Sequence, residues 1–117
     1  MKIVNRIKDS KDFAITIKKG HAANNQSFTV HYLKNEISCV RVGISVSTHI
    51  GNAVIRNKCK RQIRAMCDSL IDYSSLGLDL VIIVRKGFLN NDFKTNKLLL
   101  SDLFKRTGRK IIWKSQN

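Results

Sequence analysis

The segment from Arg56 to Arg64 holds the most concentrated functional chemistry in the chain. Five of its nine residues are lysine or arginine, and no aspartate or glutamate occurs between Glu36 and Asp68. On a helix, Arg56, Lys60 and Arg64 lie one turn apart, and each pair of like charges costs roughly a few tenths of a kcal/mol with no carboxylate to offset it. Such a row of cations can neutralise a phosphate backbone, so the segment predicts nucleic-acid binding.

Carboxylates that could hold a catalytic metal ion are scattered along the chain. The eight acidic residues stand singly apart from Asp68 and Asp72, which we interpret as a solvated rim at the end of a helix. A metal-dependent nuclease instead assembles several carboxylates around its ions. The sequence therefore predicts that the protein itself has no catalytic residue, no metal ion and no bound cofactor.

The histidines and cysteines also lack the spacing of a catalytic or metal site. The odd number of cysteines and the absence of a CxxC pair indicate neither a disulfide framework nor a zinc site. We interpret the cysteines as small apolar residues in a reducing compartment, and the histidines as polar surface or groove residues. The residues concerned are Cys39, Cys59, Cys67, His21, His31 and His49.

Length and charge define the class of protein. A chain of 117 residues can hold one hydrophobic core, and we expect a single domain over 1–117. Lys and Arg exceed Asp and Glu by 14, so the chain repels itself unless its partner is a polyanion. The basic helix has no bulky apolar insertion face, which favours nucleic acid over a membrane surface. With no secretory signal and no apolar run long enough to span a bilayer, we expect a cytoplasmic protein.

The first half of the chain predicts a helix followed by strands. Asp9 or Ser10 can cap a helix that carries Phe13 and Ile17 on one face and ends at Gly20. Residues 21–26 are polar and predict a turn. Two runs then alternate with period two, which is typical of strands with one apolar face. The apolar positions of these runs are Phe28, Val30 and Tyr32, and then Val40, Val42, Ile44 and Val46.

The second half predicts a helix, a buried strand and a last helix. From Asn52 to about Leu70 the period is helical, and five residues form a stripe that we expect to face the core. The run 80–84 is continuously apolar, as in a strand buried on both faces. Asn90 or Asn91 can cap the last helix, and a basic tail follows from Lys105. The stripe is Ile55, Cys59, Ile63, Met66 and Leu70; the last helix presents Phe93, Leu99, Leu100, Leu103 and Phe104.

Three motifs around the basic segment resemble the protein subunit of bacterial ribonuclease P. They read VGISVS at 42–47, GNAV at 51–54 and RNKCKRQIR at 56–64. The resemblance continues through Asn5-Arg6-Ile7, Asp12-Phe13 and Lys19-Gly20 to the segment IIVRK at 82–86, and so covers nearly the whole chain. The family implies a two-layer α/β sandwich around a mixed sheet of four strands, with an uncommon left-handed crossover between parallel strands.

The resemblance also implies a function and a division of labour. The family removes the 5′ leader of precursor tRNA, with hydrolysis performed by an RNA partner and its Mg²⁺ ions, while the protein binds that RNA and the leader. The implied contacts with the catalytic RNA are Arg56, Asn57, Lys58, Lys60, Arg61 and Arg64. The implied leader contacts are Phe13, Ile17, Thr29 and His31. Further implied RNA contacts are Arg6, Arg41, Asn52, Arg85 and Lys86.

Four positions depart from the family pattern. Thr48-His49 replaces a usual pair of lysines, and Ile17 stands where an aromatic residue is common. Gly87 replaces a proline, and His31 takes a position that is often tyrosine. We expect His31 to contact the leader by stacking.

Two other classes of protein are compatible with the composition. A structural RNA-binding protein, such as a ribosomal protein, is the principal alternative. A DNA-binding regulator is disfavoured because no helix-turn-helix pair is visible. The contiguous match over 42–64 favours the ribonuclease P family over both.

Overall fold

The structure is a computed structural model and describes residues 1–107 of the chain. Within these residues, three helices and four strands follow one another, with short 3₁₀ turns at Ile3–Asn5 and Lys86–Asn90. Part of the predicted basic tail, residues 108–117, lies outside the described residues. The elements are α1 (Ser10–Lys19), β1 (His21–Asn24), β2 (Phe28–Lys34), β3 (Val40–Ser45), α2 (Ala53–Leu70), β4 (Leu78–Val84) and α3 (Phe93–Arg106).

The strands form one mixed sheet in the order β1-β2-β4-β3. β2 pairs antiparallel with both β1 and β4, and β3 pairs parallel with β4. The parallel pair is joined through α2, as a crossover connection requires. The four-stranded mixed sheet confirms the predicted fold class, and the left hand of the crossover stays a prediction.

The two faces of the sheet carry different elements. α2 and α3 pack on one face over the core, where Phe28, Val30 and Leu80 are fully buried. α1 packs on the opposite face across β2 and β4. β4 is buried on both faces, as its apolar run predicted, although it begins at Leu78 and includes Asp79.

The stripe of α2 meets the core at four of its five predicted positions. Cys59, Ile63, Met66 and Leu70 are buried, which confirms the helical period. The prediction for Ile55 is wrong, because this side chain is 39% exposed. It lies in the first turn of α2 and borders a cavity between this helix and the start of α3.

Three local predictions are corrected by the backbone. Residues 21–24 form an edge strand and not a turn, because their backbone pairs with β2 although their side chains show no apolar alternation. α3 is capped by Asp92, whose carboxylate accepts a hydrogen bond from the backbone N–H of Thr95 at 2.8 Å, and not by Asn90 or Asn91. Phe93 is 40% exposed and does not belong to the buried face of α3.

α1 is seated closely on the sheet at its carboxyl end. Asp9 caps the helix by accepting from the backbone N–H of Lys11, and Gly20 follows its last turn. A Cβ at Gly20 would lie 2.5 Å from the carbonyl oxygen of Tyr32 on β2, so only glycine permits this approach. The residue of α1 that is most buried is Thr16, whereas Phe13 is half-buried and Ile17 is 37% exposed.

Candidate nucleic-acid interface

The outer surface of α2 forms a cationic face, here called the basic face, made of Arg56, Asn57, Lys58, Lys60, Arg61 and Arg64. Asn52 caps the helix by accepting from the backbone N–H of Ile55 at 3.0 Å, which fixes where the basic face begins. The Arg56 guanidinium donates to the carbonyl oxygen of Gly51 at 3.1 Å. Within residues 1–107, no carboxylate lies within ion-pair distance of these cations. The charge of the basic face is therefore uncompensated within the described residues.

A groove, here called the sheet groove, runs beside α1 on the opposite face of the sheet. Across the strands, His31 lies beside Val81, and Thr29 lies beside Ile83 in the next row. Val81 is fully buried while Ile83 is only half-buried, so α1 covers the first row and leaves the second open. The name sheet groove covers the open row of Thr29, Ile83 and Ser45 together with the other residues that the resemblance implies as leader contacts, which are Phe13, Ile17 and His31.

The structure adds two residues to the predicted groove. Ser45 and Ile83 occupy the same row as Thr29, because Ser45 pairs with Ile83 across the parallel ladder. Alternation within β3 places Ser45 on the polar face, and this signal was present in the sequence. Ile83 was hidden in the continuous apolar run of β4, where no alternation distinguishes one face from the other.

Phe13 and Gly43 form the contact that closes one end of the sheet groove. A Cβ at Gly43 would lie 2.6 Å from Cε2 of Phe13, so the aromatic ring rests directly on the β3 backbone. A larger residue at Gly43 would displace the ring. Phe13 is half-buried and also lines a cavity at the edge of β3.

His31 is the polar residue of the sheet groove with the most distinctive environment. Its Nδ1 atom is buried and has no hydrogen-bond partner among the described residues. Burial lowers the pKa of His31 below its ordinary value, because the charged imidazolium loses hydration. The neutral imidazole can stack on a base only through the part of its ring that is exposed, because the buried Nδ1 atom is not accessible to a base.

The basic face and the sheet groove meet at the edge of β3. A cavity of about 160 Å³ there is lined by Lys60 and Arg64 from α2 and by Phe13 from α1. Arg6 lines the same cavity, and its backbone forms a parallel bridge with Val42 on the outer side of β3. Residues predicted for two separate contacts thus border one continuous surface.

Arg41 differs from the other residues implied as RNA contacts. Its guanidinium makes two hydrogen bonds to the Asp79 carboxylate, at 2.9 and 2.6 Å, and reaches Asp12 at 3.3 Å. The hydrogen bond to Asp79 raises the pKa of Arg41, against the opposing effect of burial. Its side chain is only 15% exposed. Because its charge is already paired, we leave Arg41 out of the proposed RNA contacts.

Arg85 and Lys86, which the resemblance implies as RNA contacts, are exposed at the end of β4. The Arg85 guanidinium donates to the carbonyl oxygen of Asn25 at 2.8 Å, which holds it against the turn before β2. A cavity of about 480 Å³ is lined by both cations together with His49. Thr48 and His49, which replace the usual lysines, are also exposed.

Both carboxylates of the predicted rim, Asp68 and Asp72, reach solvent, since the Asp68 side chain is 46% exposed, but Asp68 also has hydrogen-bond partners in the fold. Asp72 is exposed, but Asp68 is half-buried and accepts from the Met1 amine at 2.8 Å and from the Tyr73 hydroxyl at 2.7 Å. Burial raises the pKa of Tyr73, and the neighbouring negative charges raise it further. Asp68 is therefore a structural acceptor in the fold.

Residues 1–107 contain neither a metal-binding cluster nor a membrane-spanning helix. No group of three or more His, Cys, Asp or Glu residues in this part of the chain is placed to hold a metal ion. No helix there is long and apolar enough to cross a membrane. The three cysteines are free thiols, and burial raises the pKa of both Cys59 and Cys67.

The described residues form a small basic α/β domain with a cationic helix on one face of its sheet and a groove on the other. Proteins of similar sequence and structure are known. The family model for ribonuclease P matches residues 1–108. The ribonuclease P protein component of Bacillus cereus strain AH187 is 42% identical over 115 residues, which cover 97% of this chain and 100% of the relative.

Solved structures show the same fold. The RNase P protein of Staphylococcus aureus matches with a TM-score of 0.79 at 37% identity, over 92% of this chain and 97% of the other. The RNase P protein of Thermotoga maritima matches with a TM-score of 0.75 at 34% identity, over 86% of this chain and 96% of the other.

The chain belongs to the ribonuclease P protein family. Membership implies a role in the processing of tRNA 5′ ends, as the protein component of an endoribonuclease.

Proposed function

We propose that this chain docks on the catalytic RNA of ribonuclease P through the basic face and holds the single-stranded 5′ leader of precursor tRNA in the sheet groove. The observation that carries the proposal is the meeting of the two surfaces at the β3 edge, where Lys60 and Arg64 line one cavity with Phe13. A strand bound in the groove can pass directly to an RNA bound on α2.

The basic face supports docking through phosphates. Its cations have no carboxylate partner among the described residues, and each phosphate contact releases counterions, which makes binding salt-dependent. Arginine also presents a planar fork to phosphate oxygens, while lysine acts as a point charge. The mixture suits the irregular surface of a folded RNA.

The sheet groove supports binding of a single strand. Thr29 and Ser45 offer hydroxyl groups on the open row, and Phe13 and His31 contribute half-buried rings from the row that α1 covers. Stacking on such rings tolerates any base, and is worth about 1–3 kcal/mol per base. Double-stranded RNA presents no unstacked bases, so a groove of this kind favours the leader over the paired acceptor stem.

We propose further that hydrolysis belongs to the RNA partner and the Mg²⁺ ions it holds. The described part of this chain offers no carboxylate cluster for two catalytic ions. The role of the protein is then to strengthen substrate binding. The proposed partners are the catalytic RNA and precursor tRNA, in the cytoplasm, with neither DNA nor a membrane involved.

Reconstitution tests this proposal directly. The purified protein is added to the ribonuclease P RNA of Bacillus cereus, and cleavage of precursor tRNA is measured at low Mg²⁺ concentration. We expect leader removal only when both components are present. Site-specific cleavage by the protein alone, or no effect of the protein on the RNA reaction, would contradict the proposal. A ribosomal-type RNA-binding protein would also leave cleavage unchanged.

A further inference from the structure

A second cavity lies on the opposite side of the basic face from the sheet groove. It measures about 360 Å³ and lies between the first turns of α2, the 3₁₀ turn Lys86–Asn90 and the start of α3. Three of its lining residues are large apolar side chains that are substantially exposed. They are Ile55 at 39%, Leu89 at 50% and Phe93 at 40%.

These apolar residues come from three different elements and converge on one opening. Single exposed apolar residues are ordinary on protein surfaces, whereas a cluster that borders a concave site marks a binding surface. Because Ile55 and Phe93 belong to this cluster, they remain outside the core in which they were predicted to lie.

The charge around this cavity indicates which kind of partner it receives. Lys58 of the basic face and the exposed carboxylate of Asp92 both line the cavity, so the charges of its own lining balance. The attraction for an anion comes from the adjoining basic face and from the net charge of +14. A second copy of this chain would bring the same positive charge, so self-association on this surface is opposed. A polyanion with an apolar, flat group fits both properties, and an RNA nucleotide supplies a phosphate and a base.

The cavity also offers a polar group that can contact the edge of a base. Gln62 lines it, is half-buried, and makes no side-chain hydrogen bond in the part of the chain that the structure describes. An amide presents both a donor and an acceptor. Phe93 can stack on the base, Gln62 can meet its edge, and Lys58 can contact the adjoining phosphate.

We infer that this cavity receives one unstacked nucleobase of the catalytic RNA, stacked on Phe93. The inference rests on the proposed docking of the basic face on that RNA, and extends the docking surface from phosphates to a base. Stacking is not ionic, so its contribution to affinity does not depend on salt in the way that phosphate contacts do.

Substitutions at Phe93 test the inference in binding to the full-length ribonuclease P RNA of Bacillus cereus. Phe93→Leu keeps an apolar side chain but removes the ring, and Phe93→Trp keeps a ring. Leu98→Ala is the matched control, because Leu98 lies on the same helix and is 64% exposed outside the cavity. Affinity is measured over a series of salt concentrations, and the thermal midpoint of each variant is recorded.

We expect Phe93→Leu to weaken binding about five- to hundredfold with an unchanged salt slope, while Phe93→Trp and Leu98→Ala bind like the wild type. Unchanged affinity in Phe93→Leu would overturn the inference. The inference would also be overturned by a flattened salt dependence of RNA affinity in Phe93→Leu, or by equally weakened binding in Phe93→Trp or Leu98→Ala. A change in sedimentation of the free protein would instead identify the cavity as a contact between copies.

A second measurement does not depend on the folding of the Leu variant. Tryptophan emission of Phe93→Trp is followed during titration with the same RNA, and the wild-type protein supplies the baseline. Quenching beyond that baseline is expected if a base stacks on residue 93, and its absence contradicts stacking. The variant Arg56→Ala/Lys60→Ala/Arg64→Ala is measured alongside. If this triple variant leaves RNA binding unchanged, the proposed docking face is wrong. If the triple variant weakens binding and Phe93→Leu does not, the base pocket alone is wrong.

Discussion

Removal of the Arg41 side-chain charge should destabilise the fold more than it affects RNA binding. Arg41 and Asp79 are 15% and 7% exposed, and two hydrogen bonds join them. Removing one member of such a buried pair costs about 3–5 kcal/mol, since the other charge is left uncompensated. The Asn35 side chain still donates to Asp79 at 2.6 Å, so we take the lower end, about 3 kcal/mol for Arg41→Met. A domain of this size loses about 4 °C in the midpoint of thermal unfolding per kcal/mol, so we expect the midpoint of Arg41→Met to fall by about 12 °C.

Two companion variants separate the parts of this interaction. Asp12 is 40% exposed and lies 3.3 Å from Arg41, so Asp12→Asn should cost less than about 1 kcal/mol. The double variant Arg41→Met/Asp79→Leu removes both charges, and should recover most of the lost stability because an apolar pair can replace a buried ion pair.

Urea unfolding followed by circular dichroism measures all four proteins at one salt concentration. The reasoning is refuted if Arg41→Met loses less than about 1 kcal/mol, or if the double variant is no more stable than the single one. In that case the guanidinium contributes little to the fold, and its implied role as an RNA contact becomes the better explanation of the residue.

Three further outcomes are expected. Replacing Arg56, Lys60 and Arg64 together by Ala should flatten the log-log salt dependence of RNA binding by about two units, at about 0.7 per lost contact, with the helix content unchanged by circular dichroism. His31→Ala should weaken binding of precursor tRNA to the holoenzyme while mature tRNA binds nearly as before; equal effects on both would remove His31 from the leader site. Because burial lowers the pKa of His31, the unfolded chain binds its proton more readily, so stability falls as pH drops below about 6.5. Urea unfolding at pH values on both sides of about 6.5 should show this loss in the wild type and less of it in His31→Gln.

The sequence predicted the elements with strong periodicity and missed what depends on distant partners. The alternation of β3, the apolar run of β4 and four positions of the α2 stripe were visible because each is a local pattern. β1 was missed because an edge strand of four residues is defined by its backbone pairing with β2. Its side chains carry no signal of that pairing.

The candidate site divides in the same way. The basic face was predictable, since charge at helical spacing is local. The pairing of Arg41 with Asp79 was not, because the two residues are 38 positions apart and become neighbours only through the parallel ladder. The exposure of Ile55 and Phe93 likewise depends on how the first turn of α2 packs beside the first turn of α3, which leaves a cavity between them. Periodicity assigns an apolar residue to a face of a helix but does not say whether that face is covered along its whole length.

The position of β4 between β2 and β3 has a consequence for how the protein is made. Both strands pair with β4, yet its last residue, Val84, is synthesised 39 residues after Ser45 ends β3. At about 5–20 residues per second, β2 and β3 wait several seconds for their common partner. The whole cationic helix is made within that interval, before the sheet that orients it exists. The sheet is thus completed late in synthesis. Until then, the cationic residues of α2 are present in the nascent chain but are not yet held in place by the folded sheet.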